Sequence, residues 1–307
     1  MPLFVQRNLP AVDKLREEKI DIFEKDGGLP LTSDTGKAVL KLLILNIMPT
    51  KIVTETQLLR LIGQSGYDAD ICLLATATYS SRNTAEEHLS KFYHYFTDSG
   101  IYEAQFDGLI VTGAPVEKLE FGQVAYWEEL CRIFEWAKTH TSSVYAICWG
   151  AQAALYYYYG IEKKQMPNKL FGIFAHKLQD SGHLLAEGLD TEFYAPHSRY
   201  TQVSRAEIKA CSDLVILAES PEAGVHIVAS KDSRLVCVTG HPEYDRETLS
   251  LEYFRDVQRG EEINYPVNYF QDGDPAKLPE VFWRSNGARL MKNWLGMLKN
   301  KKSCEKT

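Results

Sequence analysis

Apolar residues recur along this chain in two alternating rhythms. Short, nearly continuous apolar runs at residues 39–45, 71–74, 107–111 and 144–147 predict strands buried on both faces. Between them the apolar positions fall three and four apart. Residues 54–64 predict a helix with Leu58, Leu59, Leu61 and Ile62 inward, and residues 124–138 one with Trp127, Leu130, Cys131 and Phe134 inward. Thr84-Ala85-Glu86-Glu87 has the form of a capping box, predicting a helix with Ala85, Leu89, Phe92, Tyr93 and Phe96 on one face. A further helical stretch follows Cys148 directly and stops at Gly160. This alternation of strand and helix implies βαβ crossovers and a parallel sheet.

The second half is less regular. Residues 214–218, 225–229 and 235–238 read as successive strands, residues 245–258 and 285–299 as helices. No internal repeat or long linker divides the chain. The reading is an N-terminal arm over residues 1–37, amphipathic at 10–22 and then rich in Gly, Thr, Ser and Asp. A single α/β domain follows over 38–299, and a polar tail over 300–307.

Composition narrows the function classes. The 34 basic and 41 acidic residues leave a net charge of −7, which argues against a general nucleic-acid binder. The six cysteines lie far apart without a C-x-x-C pair, which fits a reducing compartment better than a disulfide scaffold. No run approaches the ~20 apolar residues of a membrane span, and no leader pattern opens the chain. The expectation is a cytoplasmic protein without a membrane partner.

In an open α/β sheet, ligands bind outside the carboxyl ends of the strands. Three predicted strands end in suggestive residues: Gly113-Ala114-Pro115, Cys148-Trp149-Gly150 and His241-Pro242-Glu243. A cysteine on a sharp strand-to-helix turn is exposed to substrate and faces a helix N-terminus, which favours the thiolate. His241 suits the base that takes the thiol proton, and Glu243 the group that orients the imidazole. Cys72, Cys131, Cys211 and Cys237 read as core, Cys304 as tail. His88, His94 and His140 read as surface or satisfied groups, and the Tyr156–Tyr159 run as packing. His176, His183 and His226 stand singly and make no metal site by spacing, while His197 falls in a dense polar loop at 195–200. No phosphate-binding glycine loop is present.

Ala146-Ile147-Cys148-Trp149-Gly150-Ala151-Gln152 with Thr239-Gly240-His241-Pro242-Glu243 resembles the class I glutamine amidotransferase fold, a flavodoxin-like α/β architecture with a mostly parallel sheet. Those amidotransferases usually have glycine where Ala146 stands. Further motifs resemble the homoserine O-acyltransferase (homoserine transsuccinylase) family. They are Asn8-Leu9-Pro10-Ala11-Val12, Leu45-Asn46-Ile47-Met48-Pro49, Thr54-Glu55-Thr56-Gln57-Leu58-Leu59-Arg60-Leu61, Phe106-Asp107-Gly108-Leu109-Ile110-Val111-Thr112-Gly113-Ala114-Pro115 and Ala195-Pro196-His197-Ser198-Arg199. The resemblance spans about residues 1–299.

The resemblance implies ping-pong acyl transfer in methionine biosynthesis, with Cys148 as the acylated nucleophile, His241 as general base and Glu243 as its partner. It assigns Lys51 and the Trp149 backbone N–H to the oxyanion, and Lys169, Ser198 and Arg255 to substrate binding. Glu252, three residues before Arg255, suits the homoserine ammonium. The family's usual Lys-Lys after Met-Pro is Thr50-Lys51 here. After Gly-Ala-Pro-x, succinyl-using members carry glycine and acetyl-using members glutamate; this chain has Glu117. A second carboxylate at ~4 Å costs about 4 kcal/mol at an effective dielectric near 20, so Glu117 disfavours succinyl. The expected substrates are L-homoserine and acetyl-CoA, the latter as co-substrate with no permanently bound cofactor, and a homodimer is implied. Succinyl transfer, a glutaminase or amidotransferase, and a non-enzymatic binding protein on the same fold are the alternatives.

Overall fold

Both rhythms end up in one twelve-stranded sheet covered by helices, seen in a computed structural model that describes residues 2–30, 39–79 and 83–304. First come β1 (Leu3–Gln6), α1 (Ala11–Glu17), β2 (Ile22–Lys25), β3 (Leu40–Leu45), α2 (Lys51–Gly63), β4 (Ala69–Ala75), α3 (Glu86–Phe92), β5 (Tyr93–Tyr95) and α4 (Ser99–Tyr102). The centre holds β6 (Phe106–Val111), α5 (Trp127–His140), β7 (Thr141–Ile147) and α6 (Trp149–Tyr159). Next are β8 (Lys163–Leu178), β9 (Glu192–Val203), α7 (Arg205–Ala210), β10 (Leu214–Ser220), β11 (Gly224–Ser230) and β12 (Leu235–Val238). The last helices are α8 (Thr248–Gln258) and α9 (Arg284–Cys304).

The strand order is β2-β1-β4-β3-β6-β7-β12-β11-β10-β8-β9, with β5 beside β4. Every pair from β2 to β12 is parallel, and the pairs from β12 to β9 are antiparallel. Side chains alternate across the parallel strands as a period of two requires. Leu40, Leu42 and Ile44 of β3 join a core layer with α1, α2 and α9, whereas Leu43 and Leu45 join the opposite layer with α5 and α6. A smaller cluster of Phe171, Ile173, Tyr244, Leu249, Tyr269, Phe270 and Trp283 packs beside α8.

The structure revises several local readings. The segment over 195–200 is no loop but part of β9, paired along most of its length with the long β8. Pro167 and Pro196 obscured both strands in sequence, because proline lacks a ladder donor. The capping box does not form. Ala85 is the N-cap of α3 without a side-chain cap, and Thr84 Oγ1 instead donates to Pro49 O (3.0 Å). That helix stops at Phe92, and Tyr93 continues in β5 against Leu73 of β4. The final helix runs past residue 299 to Cys304, where Lys302 Nζ pairs with Asp107 (2.7 Å). In the arm, β1 and β2 extend the sheet at β4. The Thr/Ser/Asp/Gly stretch at 32–36 and residues 305–307 lie outside the described residues.

Candidate active site

Four neighbouring parallel strands, β3, β6, β7 and β12, release their carboxyl ends side by side, and the candidate residues follow them directly. Chain order reverses direction across β3, the kind of switch point where α/β sheets bind ligands. The loop after β3 leads to Lys51 at the start of α2, the loop after β6 carries Gly113 and Glu117, the turn after β7 Cys148, and the segment after β12 His241 and Glu243.

Cys148 occupies φ +51°, ψ −115°, a conformation an L-residue adopts only under strain. Its N–H donates to Val238 O (2.7 Å), which fixes the turn against β12. The next residue, Trp149, opens α6, so its backbone N–H is among those without an intrahelical acceptor. Gly150 must lack a side chain, because a Cβ there would lie 2.5 Å from Thr112 O. A Cβ on Gly113 would lie 3.2 Å from Cys148 Cβ and 3.4 Å from His241 Cε1, so the three residues converge on one point.

His241 is buried, and its N–H donates to Pro196 O (2.8 Å). Its Nδ1 lies 2.7 Å from Glu243 Oε1, while its ring stacks on Tyr244 with centroids 4.0 Å apart. Burial alone would lower the imidazole pKa, but the charge of Cys148 and then that of Glu243 outweigh it, and His241 is held well above its ordinary value. The three residues therefore suit an ion pair of thiolate and imidazolium, oriented by a carboxylate.

Lys51 Nζ is buried and donates to Asn46 O, with Met48 O at 3.4 Å and the Tyr93 ring centroid at 5.6 Å. Burial pulls its pKa down to about 8 against an upward pull from Glu55. These hydrogen bonds reach back into the β3–α2 loop and do not involve Cys148. That loop reaches the cysteine side of the site indirectly: Ile47 N–H donates to Thr112 Oγ1 (2.8 Å), next to Gly113.

A second cluster gathers where β8 and β9 meet α8. Ser198 Oγ donates to Glu252 Oε2, Tyr244 Oη donates to Glu252 Oε1 (2.9 Å), and Lys169 Nζ lies 3.8 Å from Glu252. Lys169 also donates to Asp256 Oδ2 (2.9 Å), and Arg255 Nε donates to Asp256 Oδ1 (2.7 Å). Lys169, Ser198, Glu252 and Arg255, the residues the resemblance assigned to substrate, thus lie in one cluster. Asp256 was missed, although it stands one helical turn after Glu252 and beside Arg255. Burial would raise the Asp256 pKa, but Lys169 and Arg255 pull it below the usual range. Glu117 feels this cluster as well. Burial raises its pKa, Lys169 opposes that rise and Glu252 adds to it. The cluster offers both charges needed to hold an amino-acid zwitterion.

The expectation of single, unrelated histidines is overturned. His176, His197 and His226 are buried, with ring nitrogens within 4.8 Å of one another. Their chemistry does not fit a divalent cation. Arg199 Nε donates to His197 Nδ1 (3.4 Å), so His197 carries its proton on Nε2 and presents it to His176 Nε2 (3.1 Å). The facing nitrogens of His197 and His176 are engaged with each other, His226 Nδ1 meets no hydrogen-bond partner among the described residues, and a buried guanidinium adjoins the cluster, where it would repel a cation. Burial, and then the Arg199 charge, keep His197 well below its ordinary pKa, and burial pulls His176 down to about 3. The other readings gain ordinary packing. Tyr156 stacks on Phe121 at 4.6 Å, and His88 is buried against Glu55 at 2.8 Å.

Comparison with known proteins adds an independent line. The family model described as homoserine O-succinyltransferase matches residues 2–303. A homoserine O-acetyltransferase of Clostridium acetobutylicum is 50% identical over 295 residues, 96% of each chain. A homoserine O-acetyltransferase of Petrotoga mobilis is 48% identical over 96% of this chain and 94% of that protein. Among solved structures, a glutamine amidotransferase of Thermotoga maritima superposes with TM-score 0.57 at 11% identity, covering 86% of this chain and 99% of that one. A glutamine amidotransferase of Methylobacillus flagellatus gives TM-score 0.52 at 13% identity, covering 84% of this chain and 94% of that one. At such identities these two likenesses speak for the fold alone, which is the class I glutamine amidotransferase architecture.

Proposed function

This chain belongs to the homoserine O-succinyltransferase family, and from that premise we propose that it is a homoserine O-acetyltransferase. The observation that carries the chemistry is the strained Cys148 turn meeting the His241–Glu243 pair at one point. In the first half-reaction the Cys148 thiolate attacks the acetyl carbonyl of acetyl-CoA. The tetrahedral oxyanion draws on the Trp149 backbone N–H and the Lys51 ammonium, and its collapse expels CoA as a thiol that takes the proton of His241. In the second, neutral His241 removes the proton of homoserine's γ-hydroxyl, whose oxygen attacks the thioester. Collapse then releases O-acetylhomoserine and restores the thiolate opposite imidazolium.

The Lys169, Ser198, Glu252, Arg255 and Asp256 cluster suits homoserine's ammonium and carboxylate, with Arg255 matched to the carboxylate. Acetyl rather than succinyl is supported by Glu117, a carboxyl that feels the charges of Lys169 and Glu252, and by the names of the two relatives above. Two further proposals are work in the cytoplasm, which the scattered cysteines favour, and assembly as a homodimer, which the family resemblance implies. Among the described residues no helix is long and apolar enough to cross a membrane.

The test supplies homoserine with acetyl-CoA or succinyl-CoA in parallel and follows CoA release. Faster turnover with acetyl-CoA is expected. A preference for succinyl-CoA overturns the donor assignment, and no turnover with either overturns the acyltransferase reading.

A further inference from the structure

Arg199 is a cation in an unusual place. It is 2% exposed, yet its guanidinium meets no carboxylate among the described residues. It donates to Thr201 O and Ala223 O (2.6 Å each) and to His197 Nδ1, with Met166 Sδ at 3.9 Å. Burying a charge without an opposite charge is costly, so an anion within reach is called for.

Two structural links lead from the guanidinium to the reaction centre. Through β9, Thr201 O also accepts from Gln152 Nε2 (3.1 Å), Thr201 Oγ1 donates to Gln152 Oε1 (2.8 Å), and Gln152 N–H donates to Cys148 O (3.2 Å). On the other side, His197 Nε2 lies against Gly240, where a Cβ would approach it to 2.9 Å, and Gly240 precedes His241. We propose that Arg199 is a fixed positive charge behind the reaction centre that stabilises the Cys148 thiolate and, through His197, holds the His241 segment in place.

This rests on Cys148 being the nucleophile. It supplies something His241 cannot. When imidazolium gives its proton to the leaving thiol, the ion pair loses its cation, whereas the guanidinium stays charged throughout the cycle. The groups whose charges or hydrogen bonds reach Cys148 are His241 and Tyr244 after β12 and Arg199 on β9, with Glu243 behind His241. Those around Arg199 are His176 on β8, His197 on β9, His226 on β11 and Cys148 ahead of α6. Burial lowers the Arg199 pKa to about 10, and the Cys148 charge opposes that loss. Arg199 is a positioning and electrostatic residue here, with no assigned contact to substrate.

The experiment alkylates the full chain with iodoacetamide across pH and follows the Cys148 peptide by mass spectrometry, so that the other cysteines do not interfere. Arg199→Gln should raise the midpoint of Cys148 alkylation by about one pH unit, and Arg199→Lys should return most of it, since one unit is a tenfold change in thiolate population. A folded Arg199→Gln protein with an unchanged midpoint overturns the proposal. If Arg199→Gln does not fold, Arg199→Lys decides alone. The charge account expects a midpoint within about half a unit of wild type, and a midpoint displaced to that of a free thiol overturns it. Alkylation needs no acyl donor, so failure here is distinguishable from failure of the acetyl assignment. Loss of Cys148 labelling at every pH in the wild-type protein would instead count against Cys148 as nucleophile.

Discussion

His241 Nδ1 stands 2.7 Å from Glu243 Oε1, with only Pro242 between the two residues in the chain. That proline fixes the backbone between base and orienter, and Gly287 of α9 packs on it, where a Cβ would lie 2.6 Å from Pro242 Cβ. The carboxylate fixes the ring tautomer and supports the imidazolium. Glu243→Gln should therefore lower kcat by about a hundredfold or more with the fold intact. The midpoint of Cys148 alkylation should rise at the same time, because the imidazolium that sustains the thiolate is weakened. Steady-state kinetics and circular dichroism on the same preparation check this.

Lys51 predicts an alkaline limit to activity. Burial has moved its pKa down to about 8, so the charge available to an oxyanion fades as pH rises through that value. kcat/KM should fall above about pH 8. Lys51→Gln should lower kcat by about 10²–10³ at neutral pH and flatten that limb. The stability effect has the opposite sense. The unfolded lysine still holds its proton between about pH 8 and its ordinary value near 10.4, so this residue's contribution to stability increases with pH over that window. Thermal denaturation of wild type and Lys51→Gln across this range separates the two effects.

Glu117 should set the donor. Its carboxylate lies in the field of Lys169 and Glu252, where a second anionic group would be repelled. Glu117→Gly opens volume and removes that repulsion. The ratio of kcat/KM for succinyl-CoA over acetyl-CoA should rise by about tenfold or more, which asks for only ~1.4 kcal/mol. Parallel assays of the variant with both donors check it.

Asp256 ties Lys169 and Arg255 together, so its loss should loosen the homoserine site more than the chemistry. Asp256→Asn should raise KM for homoserine about tenfold or more, with kcat changed less, as expected for one lost charge-assisted contact. An unchanged KM would remove Asp256 from the site.

Much of this site was legible in the chain because its parts lie at strand ends. A buried strand followed by Cys148 and a helix N-terminus announces itself through hydrophobicity and turn chemistry, as does the strand before His241. The βαβ half of the sheet was legible for the same reason. The β8–β9 hairpin was not, since prolines and polar residues interrupt it and its strands are recognised only by pairing with each other. That is also why the neutral histidine cluster went unseen: His176, His197 and His226 come from three separate strands and meet through register alone. Thr84 shows a further limit. Its motif matched a helix cap, but a tertiary partner, Pro49 O, claimed the hydroxyl. Arg199 stood in view within a motif, and only its burial without a carboxylate gave it a role.

The most direct measurement is mass spectrometry of the protein after incubation with acetyl-CoA alone, followed by addition of homoserine. One acetyl group should appear on the Cys148 peptide, disappear when homoserine is added, and be absent from Cys148→Ala. An unmodified Cys148 in an enzyme that turns over normally, or normal turnover by Cys148→Ala, would contradict the thioester mechanism.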